Sequence, residues 1–413
     1  MVARSYAVAD EELKSTKRWV VFSLVGMGHL VSHVYILALP PLFALIKADL
    51  EVSFAALGML VTAFHIATGS MQIPAGWAVD AIGARKTLVS GLALAAASMA
   101  LLGVADSYAL MMLLVVLAGV GNSVFHPADY AILSNTVAEH HRGKAFGFHL
   151  LAGNLGFALA PILMVSLAAA FSWRWALVAV GVFGLGVALC MILFGQGLKA
   201  AKSSGQQPSA QQDSSAPRSF LTPALWVMLV FFILISMVTA GIQSFAVSAF
   251  AARDGLSLEL GNAALSAFLT ASFIGVALGG IIADKLRSPV LVVAGAMVAG
   301  ALALAAVAWL TTPIAVLITA MAIAGAAIGL MRPARDLMVN AITPPGMTGK
   351  AFGFVGTGLS VGGAIAPVTF GWLIDIGAPG HIFILSTLFL VLSVVAALMA
   401  QVLGANGSSS VRR

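Results

Sequence analysis

Charged residues are scarce in this sequence. Only 9% of its 413 residues are Asp, Glu, Lys or Arg, whereas 61% are hydrophobic. Because a soluble domain carries roughly a quarter charged residues, this composition excludes an ordinary water-soluble fold. The scarcity leaves long uncharged stretches at 19–46, 52–79, 175–198 and 288–331. Each is longer than the ~20 apolar residues that cross a bilayer as a helix.

Cysteine and several catalytic motifs are also missing. The chain has one cysteine, Cys190, so an intramolecular disulfide is excluded, and we expect Cys190 to be a small buried residue. No HExxH zinc motif and no ATP-binding G-x-x-x-x-G-K-[ST] loop occurs. The sequence therefore indicates neither a zinc protease nor an ATP-driven pump, and we predict no enzymatic activity, no cofactor and no metal site.

Continuous apolar segments are what the chain has in abundance. They are too long for the roughly 10-residue alternating strands of a membrane barrel, so the backbone within the bilayer must be helical. Since the charged start shows no cleavable signal pattern, we expect the first segment to remain in the protein. Twelve spans are predicted, at 19–46, 53–78, 86–104, 107–137, 144–171, 173–195, 222–250, 257–284, 289–310, 313–342, 349–374 and 379–403.

The hexapeptide GKAFGF occurs twice, at 143–148 and 349–354. Without a gap, residues 125–162 align with residues 331–368, and twelve of these 38 positions are identical. The separation of 206 residues is half the length of the chain. A half-length repeat indicates a duplicated architecture.

A polar segment separates the two sets of six spans. The stretch KAAKSSGQQPSAQQDSSAPRS follows the sixth span and is rich in Ser, Gln and Pro, which is typical of a flexible linker. We therefore predict an all-α polytopic membrane protein. It should contain an amino-terminal six-helix bundle at 1–195, a cytoplasmic linker at 196–221 and a pseudo-symmetric carboxy-terminal six-helix bundle at 222–413.

Lys and Arg residues outside the spans are unevenly distributed. If both termini are cytoplasmic, most of these residues lie on the cytoplasmic side, and the opposite side receives Lys47, Arg174 and Arg253. This asymmetry follows the positive-inside rule and explains the net charge of +6 without a nucleic-acid partner. We predict a multi-pass protein of the bacterial inner membrane, embedded in the lipid bilayer, with both termini in the cytoplasm.

Two loops carry the same short pattern. Residues 76–86 read GWAVDAIGARK and residues 280–288 read GIIADKLRS, so that each has Gly, then Asp four positions later, then basic residues. This pattern resembles the G-x-x-x-D-x-x-G-R-[KR] signature of the major facilitator superfamily of secondary transporters. The first copy has Ala84 at the usual Arg position, and the second has Arg287 in place of the second Gly. The resemblance implies a monomer that binds a small-molecule substrate.

A narrower resemblance lies mainly in the first half of the chain. The stretches GHLVSHVYILALPPLFALI at 28–46, GNSVFHPADYAI at 121–132 and GNLGFALAPI at 153–162 resemble the fosmidomycin-resistance branch of that superfamily. That branch tends to have Asn-Asp where this chain has Ser32 and His33. The resemblance implies an exporter fold and efflux of phosphonates or drugs.

The superfamily resemblance also implies a gating role for both copies of GKAFGF. Each copy should open a helix whose amino-terminal end carries partial positive charge, beside the loop Asp of the opposite half, where Gly permits close approach. The alternative is that each loop Asp pairs locally, with Arg85 or Lys285. The predicted gating residues are Gly76, Asp80, Gly83, Arg85, Gly143, Gly280, Asp284 and Gly349.

Polar side chains within the spans are few. His29 and His33 are four residues apart and share a helix face. Because an unperturbed histidine titrates at about pH 6.5, these two residues and Asp129 are predicted to carry the coupling proton. We expect His65 and His149 to be structural. Predicted substrate contacts are His29, His33, Asn122, His126, Gln243 and Arg332.

The repeat relates polar positions in the two halves. It aligns His126 with Arg332 and Asp129 with Arg335, and equivalent positions should lie at similar depth. We therefore predict that Asp129 and Arg335 form a gating pair when the cytoplasmic side closes. The alternatives are local interactions: of Asp129 with Arg142 or Lys144, of Arg335 with Asp336 or lipid headgroups, and of Arg332 with Asp336.

Embedded acids are scarcer than embedded cations and histidines, which favours an anionic or polar neutral substrate. The predicted function is proton-coupled efflux of such a compound by alternating access. Uptake of an organic anion is the alternative within this class. Two alternatives belong to other functional classes. One is a membrane enzyme that uses His126 and Asp129 as a metal-binding or acid–base pair, against which Pro127 and the isolation of that pair argue. The other is a sensor that does not transport.

Overall fold

In the computed structural model the chain is almost entirely helical. The structure describes residues 2–136, 142–198, 221–285, 288–310, 313–344 and 347–410, without the side chains of 2–18, 142–144, 197, 283–285, 349 and 405–410. Most of the predicted linker at 196–221 lies outside the described residues, as does Arg287.

The described residues form fourteen α-helices. The first half of the chain contains α1 (Val2–Ile36), α2 (Phe43–Leu50), α3 (Phe54–Ile82), α4 (Ala84–Leu102), α5 (Tyr108–Asn122), α6 (Phe125–Thr136), α7 (Arg142–Ala170) and α8 (Trp173–Phe194). The second half contains α9 (Pro223–Asp254), α10 (Leu258–Lys285), α11 (Pro289–Trp309), α12 (Ile314–Ile342), α13 (Thr348–Asp375) and α14 (His381–Ser410).

Twelve segments of the described chain are long and apolar enough to cross a membrane, which confirms the predicted number. The first combines α1 and α2, and the fourth combines α5 and α6. A proline follows both interruptions, and its ring disfavours a helical carbonyl group four residues earlier, although Pro74, Pro161, Pro333 and Pro367 lie within helices that continue. Counting back from Pro40 gives Ile36, the last residue of α1, and counting back from Pro127 gives Ser123, which follows α5 directly.

The chain divides into two compact units. Unit 1 comprises Met1–Ala38 and Ala63–Gln207, and unit 2 comprises Leu39–Thr62 and Pro208–Arg413. Helix α3 therefore begins in unit 2 and continues in unit 1. The bundle boundaries predicted from the sequence stay a prediction, and the grouping of Leu39–Thr62 with unit 2 was not foreseen.

Helix pairs define the core of each unit. In unit 1, α1 packs against α7, and α4 packs against α5 and α8. The side chains of Leu88, Leu92 and Ala96 on α4 are fully buried there. In unit 2, α9 packs against α13 and α14, while α12 packs against α10 and α11. The polar residues of α1, α6 and α7 therefore belong to unit 1, and those of α9 and α12 belong to unit 2.

Glycine permits the tightest of these helix contacts. A Cβ atom on Gly325 of α12 would collide with the carbonyl oxygen of Phe268 on α10, and one on Gly329 would collide with that of Ser272. Small residues let membrane helices approach until their backbones touch. The pairing of α10 with α12 therefore relies on glycine at these two positions, and also at Gly275 and Gly279 of α10, which approach the backbone of α12 in the same way.

The prediction that Cys190 is buried is wrong. Its side chain is exposed on α8, next to Leu189, which is 53% exposed, and two residues before Ile192, also 53% exposed. On a membrane-spanning helix, an apolar face of this kind contacts lipid chains. A thiol behaves as a small hydrophobic group, so it suits that face as well as it would suit a protein core.

Candidate functional site

The polar site of unit 1 begins with the close approach of α1 and α7. A Cβ atom on Gly153 would lie 2.7 Å from Nε2 of His29 and 2.8 Å from Cε1 of His33. A Cβ atom on Gly156 would collide with the carbonyl oxygen of Leu30. Glycine at both positions therefore lets the histidine-bearing face of α1 pack against the backbone of α7.

Helix α6 supplies the acid of the site. Helix α5 ends at Asn122, and α6 begins at Phe125 with Pro127 in its first turn, a position that proline tolerates. Asp129 lies one turn into this helix and is completely buried, at 0% exposure. His126 and Tyr130, on either side of it, are exposed.

Asp129 lies between two buried histidines. Its Oδ2 atom is 3.6 Å from Nδ1 of His29 and 3.8 Å from Nε2 of His149. Both distances exceed the ~2.7–3.2 Å range of N–H···O hydrogen bonds. His29 and His149 are only 2% and 3% exposed, so three ionisable side chains meet at one point away from solvent.

Imidazole rings surround this point. The rings of His29 and His149 stack with centroids 3.7 Å apart, and the ring of His33 lies 4.5 Å from that of His29. The ring of His126 is 5.7 Å from that of His29. We call His29, His33, His126, Asp129 and His149 the histidine cluster. Imidazole nitrogens and carboxylate oxygens can bind protons, hydrogen-bond a ligand or coordinate a cation.

The structure brings four predicted site residues together in this cluster: His29, His33, His126 and Asp129. It also adds His149, which we expected to be structural. The repeat does not single it out, because His149 aligns with Val355 and most aligned positions also differ between the halves. His65 lies outside the cluster, with its ring 5.9 Å from that of Phe64.

Two predicted substrate contacts are not part of the cluster. Asn122 is buried at the end of α5, and its Oδ1 atom has no hydrogen-bond partner among the described residues. Gln243 is partly buried on α9 in unit 2. Their roles as substrate ligands stay predictions.

Two arginines of α12 differ sharply in their surroundings. Nε of Arg335 donates a hydrogen bond to Oδ1 of Asp336 at 2.9 Å, and Nη2 lies 2.8 Å from the same oxygen as an ion pair. The guanidinium also lies 4.3 Å from the centre of the Phe232 ring. Asp336 thus pairs with Arg335, one of the local alternatives. Arg332 is partly buried and makes no hydrogen bond or ion pair within 4 Å among the described residues, although the charges of Arg335 and Asp336 both act on it. The gating pair of Asp129 with Arg335 stays a prediction.

In the first signature loop, the structure gives a reason for the residue type at Gly83 and at Arg85. Gly83 has φ of +92°, a conformation that favours glycine, and it is the residue from which α4 starts. Arg85 donates hydrogen bonds to the carbonyl oxygens of Met191 and Ile192, at 3.2 and 2.6 Å, near the end of α8. A cation there compensates the negative end of the helix dipole. Asp80 is exposed.

Helices α7 and α13 begin at Arg142 and Thr348, so each GKAFGF opens a helix as predicted. A Cβ atom on Gly76 or Gly280 would meet no atom within 4 Å. The gating roles themselves stay predictions. The side chains of Arg142, Lys144, Asp284 and Lys285 lie outside the described residues, and so do the side-chain surroundings of Gly143 and Gly349.

Comparison with known proteins identifies relatives of the whole chain. A family model described as the Major Facilitator Superfamily matches residues 25–261 and 229–409. The fosmidomycin resistance protein of Escherichia coli strain K12 is 25% identical over 379 residues, which cover 88% of this chain and 91% of that protein. A D-galactonate transporter of Escherichia coli O6:H1 is 25% identical over 180 residues, 43% of this chain and 41% of that protein.

Among solved structures, the fold is similar to that of a bacterial homologue of the human lysosomal transporter Spinster, in an inward-facing and occupied conformation. The TM-score is 0.77, the sequence identity is 17%, and the match covers 93% of this chain and 97% of that one. At this identity the similarity establishes the fold alone.

Proposed function

This chain belongs to the Major Facilitator Superfamily, and on that premise we propose that it exports a small anionic or polar organic compound in exchange for protons. The family makes the chain a multi-pass membrane transporter rather than an enzyme. The proposed cycle is alternating access, in which a central site opens to one side of the membrane at a time.

The observation that carries the substrate class is the state of Arg332. A guanidinium is always charged, and burying a charge without a partner is costly. Within the described residues, Arg332 has no hydrogen bond or ion pair, although Arg335 on the same helix is paired with Asp336. The charge of Asp336, one turn further along α12, acts on Arg332 but makes no close contact with it. An anionic group of a substrate would supply that contact by accepting two hydrogen bonds from the guanidinium.

The relatives support an anion but differ in direction. Galactonate is a carboxylate, and the relative that transports it matches 43% of this chain. The fosmidomycin resistance protein matches 88% of the chain, and resistance is what export of a toxic compound produces. Export is therefore the first proposal, and uptake of an organic anion is the second.

Orientation and driving force complete the proposal. The asymmetry of Lys and Arg residues supports an inner-membrane protein with both termini in the cytoplasm. The sequence has no ATP-binding loop, and we propose that the proton gradient of a bacterial membrane drives accumulation.

The decisive experiment starts without an assumed ligand. A deletion strain, the strain complemented with the wild-type gene and the strain complemented with Arg332→Gln are compared by profiling of exported metabolites and by sensitivity to anionic compounds. We expect a compound that accumulates inside the deletion strain, with rescue by the wild type only. Equal rescue by Arg332→Gln would remove Arg332 from the substrate site.

Vesicle measurements then test direction and coupling. In inverted membrane vesicles, an imposed pH gradient should drive the identified compound into the lumen, and collapse of that gradient should stop it. Accumulation in right-side-out vesicles would support uptake instead. A complete lack of substrate counterflow, with binding preserved, would favour the non-transporting sensor.

A further inference from the structure

Three buried side chains of unit 1 direct ligand-type atoms at one another. Nδ1 of His29, Nε2 of His149 and a carboxylate oxygen of Asp129 all lie within 4.8 Å of each other. They come from α1, α7 and α6, so three separate helices converge at this point. This arrangement lies within unit 1 and is independent of Arg332, which belongs to unit 2.

These atoms make no hydrogen bond in the described part of the chain, and the nearest charged or ionisable neighbours of Asp129 Oδ2 are the two histidines, at 3.6 and 3.8 Å. Nδ1 of His29, both carboxylate oxygens of Asp129 and both ring nitrogens of His149 are buried without a hydrogen bond. Buried polar atoms are nearly always paired, because an unpaired one costs several kcal/mol in an apolar medium, roughly 1–3 by mutation. Five unpaired atoms on three side chains therefore call for a ligand that binds all three.

The spacing matches a metal ion. Zn–N and Zn–O bonds of about 2.0–2.2 Å in a tetrahedral site place neighbouring ligand atoms roughly 3.3–3.5 Å apart. The distances from Asp129 Oδ2 to the nitrogens of His29 and His149 are 3.6 and 3.8 Å. The third pair of ligand atoms, on His29 and His149, lies within 4.8 Å, and the rings of these two residues are stacked. Because an imidazole nitrogen binds a metal in the plane of its ring, at least one of the two rings must rotate for the site to close around an ion.

The donor set selects the class of ion. Imidazole nitrogens suit zinc, copper, nickel and iron, whereas calcium and magnesium prefer sites built from oxygen atoms. We propose that His29, Asp129 and His149 bind one divalent first-row transition-metal ion, such as Zn²⁺ or Co²⁺. Three protein ligands leave a fourth position for a water molecule or for exposed His126.

This site departs from the sequence-based expectation of no metal. It also gives His29 and Asp129 an occupant other than the coupling proton predicted for them. The ion can be held permanently or be carried across the membrane. The binding chemistry is the same in both cases, so binding and movement are measured separately.

Binding is tested on the full-length chain, purified in detergent with an affinity tag that contains no histidine. Titration with Co²⁺ should produce the visible absorption bands of a tetrahedral site at a single ion per chain, and Zn²⁺ should displace them. Asp129→Asn and His149→Gln should each weaken Co²⁺ affinity by at least about tenfold, since even second-layer partners of metal ligands act on that scale. Mg²⁺ should not compete.

Two controls separate this site from incidental binding. His65→Gln removes a histidine of unit 1 outside the cluster, and a double variant, His140→Gln with His141→Gln, removes the two adjacent histidines that precede Arg142 in the sequence. Both should bind Co²⁺ like the wild type. Chromatographic size and melting temperature, both measured without metal, show whether each variant is folded. If Asp129→Asn is not folded, His149→Gln alone tests the site.

Proteoliposomes that enclose a zinc-sensitive dye test movement of the ion. Entry of Zn²⁺ that is lost in His149→Gln identifies the ion as cargo, whereas binding without entry identifies it as resident; either result is consistent with the site. The proposal is overturned if the wild type binds no Co²⁺, or if folded Asp129→Asn and His149→Gln bind it as tightly as His65→Gln. The histidine cluster would then bind protons and no metal ion.

Discussion

Asp375 caps the helix that begins at Phe54. Oδ1 of Asp375 accepts a hydrogen bond from the amide of Phe54 at 2.9 Å, and Oδ2 accepts one from the amide of Ala55 at 2.8 Å. The first amides of a helix have no partner within it, and a carboxylate there also interacts favourably with the helix dipole. Nearby, the hydroxyl of Thr62 donates to the carbonyl oxygen of Ala364 at 2.6 Å.

The cap predicts a local loss of stability in Asp375→Ala. Removal of the carboxylate leaves two amides of α3 without partners, at a cost of about 1 kcal/mol. Hydrogen–deuterium exchange should rise in the first turn of α3. The matched control is Asp106→Ala, which removes an exposed carboxylate between α4 and α5. Unchanged exchange at residues 54–57 in Asp375→Ala would show that water replaces the cap without loss.

A second prediction concerns the contact of α10 with α12. Gly329→Ala places a methyl group against the backbone of Ser272, so the helices must separate, and we expect destabilisation of about 1–3 kcal/mol. Gly295→Ala is the control, because a Cβ atom there meets nothing within 4 Å. That change should be neutral or stabilise the chain by up to about 1 kcal/mol through helix propensity. Thermal unfolding in detergent compares them, and equal melting temperatures would contradict the packing argument.

Much of this fold is predictable from local sequence. Uncharged stretches locate the spans because a charge is costly within the bilayer. Prolines accompany the breaks in the first and fourth spans because they disfavour a helical residue four positions earlier, but Pro333, the repeat equivalent of Pro127, lies inside the continuous helix α12. The spacing of His29 and His33 correctly places both on one face. Each of these rules operates over a few residues, which is why a single sequence reveals them.

Contacts between residues that are far apart in the sequence could not be predicted from it. His149 joins the cluster only because Gly153 and Gly156 bring α7 against α1, and no local rule states which histidine will face which helix. The cap on Phe54 comes from a residue 321 positions away. Exposure of Cys190 depends on which side of α8 faces outwards.

Arg332 provides a prediction about substrate affinity. Arg332→Lys keeps the charge but loses the planar pair of donors, so the KM for the compound identified in the deletion strain should rise more than the maximal rate falls. Arg332→Gln should raise KM by about tenfold or more, since hydrogen bonds to charged groups contribute about 1.5–3 kcal/mol.

The control for Arg332 is another arginine of unit 2. Arg253 is paired with Asp254 at 2.8 Å and donates to the carbonyl oxygen of Val307 at 2.8 Å. Arg253→Lys should leave KM unchanged in protein that reaches the membrane. A KM that is the same in wild type and Arg332→Gln, measured by counterflow, would contradict a substrate contact.

The last prediction tests the proposed metal site without removing any of its ligands. In Gly153→Ala, the new methyl group would lie 2.7 Å from Nε2 of His29, so the imidazole must shift away from α7. A displaced ligand weakens the site, and Co²⁺ affinity should fall by about tenfold. The rise in melting temperature on addition of Zn²⁺ should shrink accordingly, because that rise follows from binding to the folded state. Gly147→Ala is the matched control: it lies on the same helix, and its Cβ atom would meet nothing within 4 Å. It should bind Co²⁺ like the wild type. If Gly153→Ala binds equally tightly while Asp129→Asn does not, the ring of His29 is not a ligand, and the ion is held by Asp129 and His149 with another histidine of the cluster.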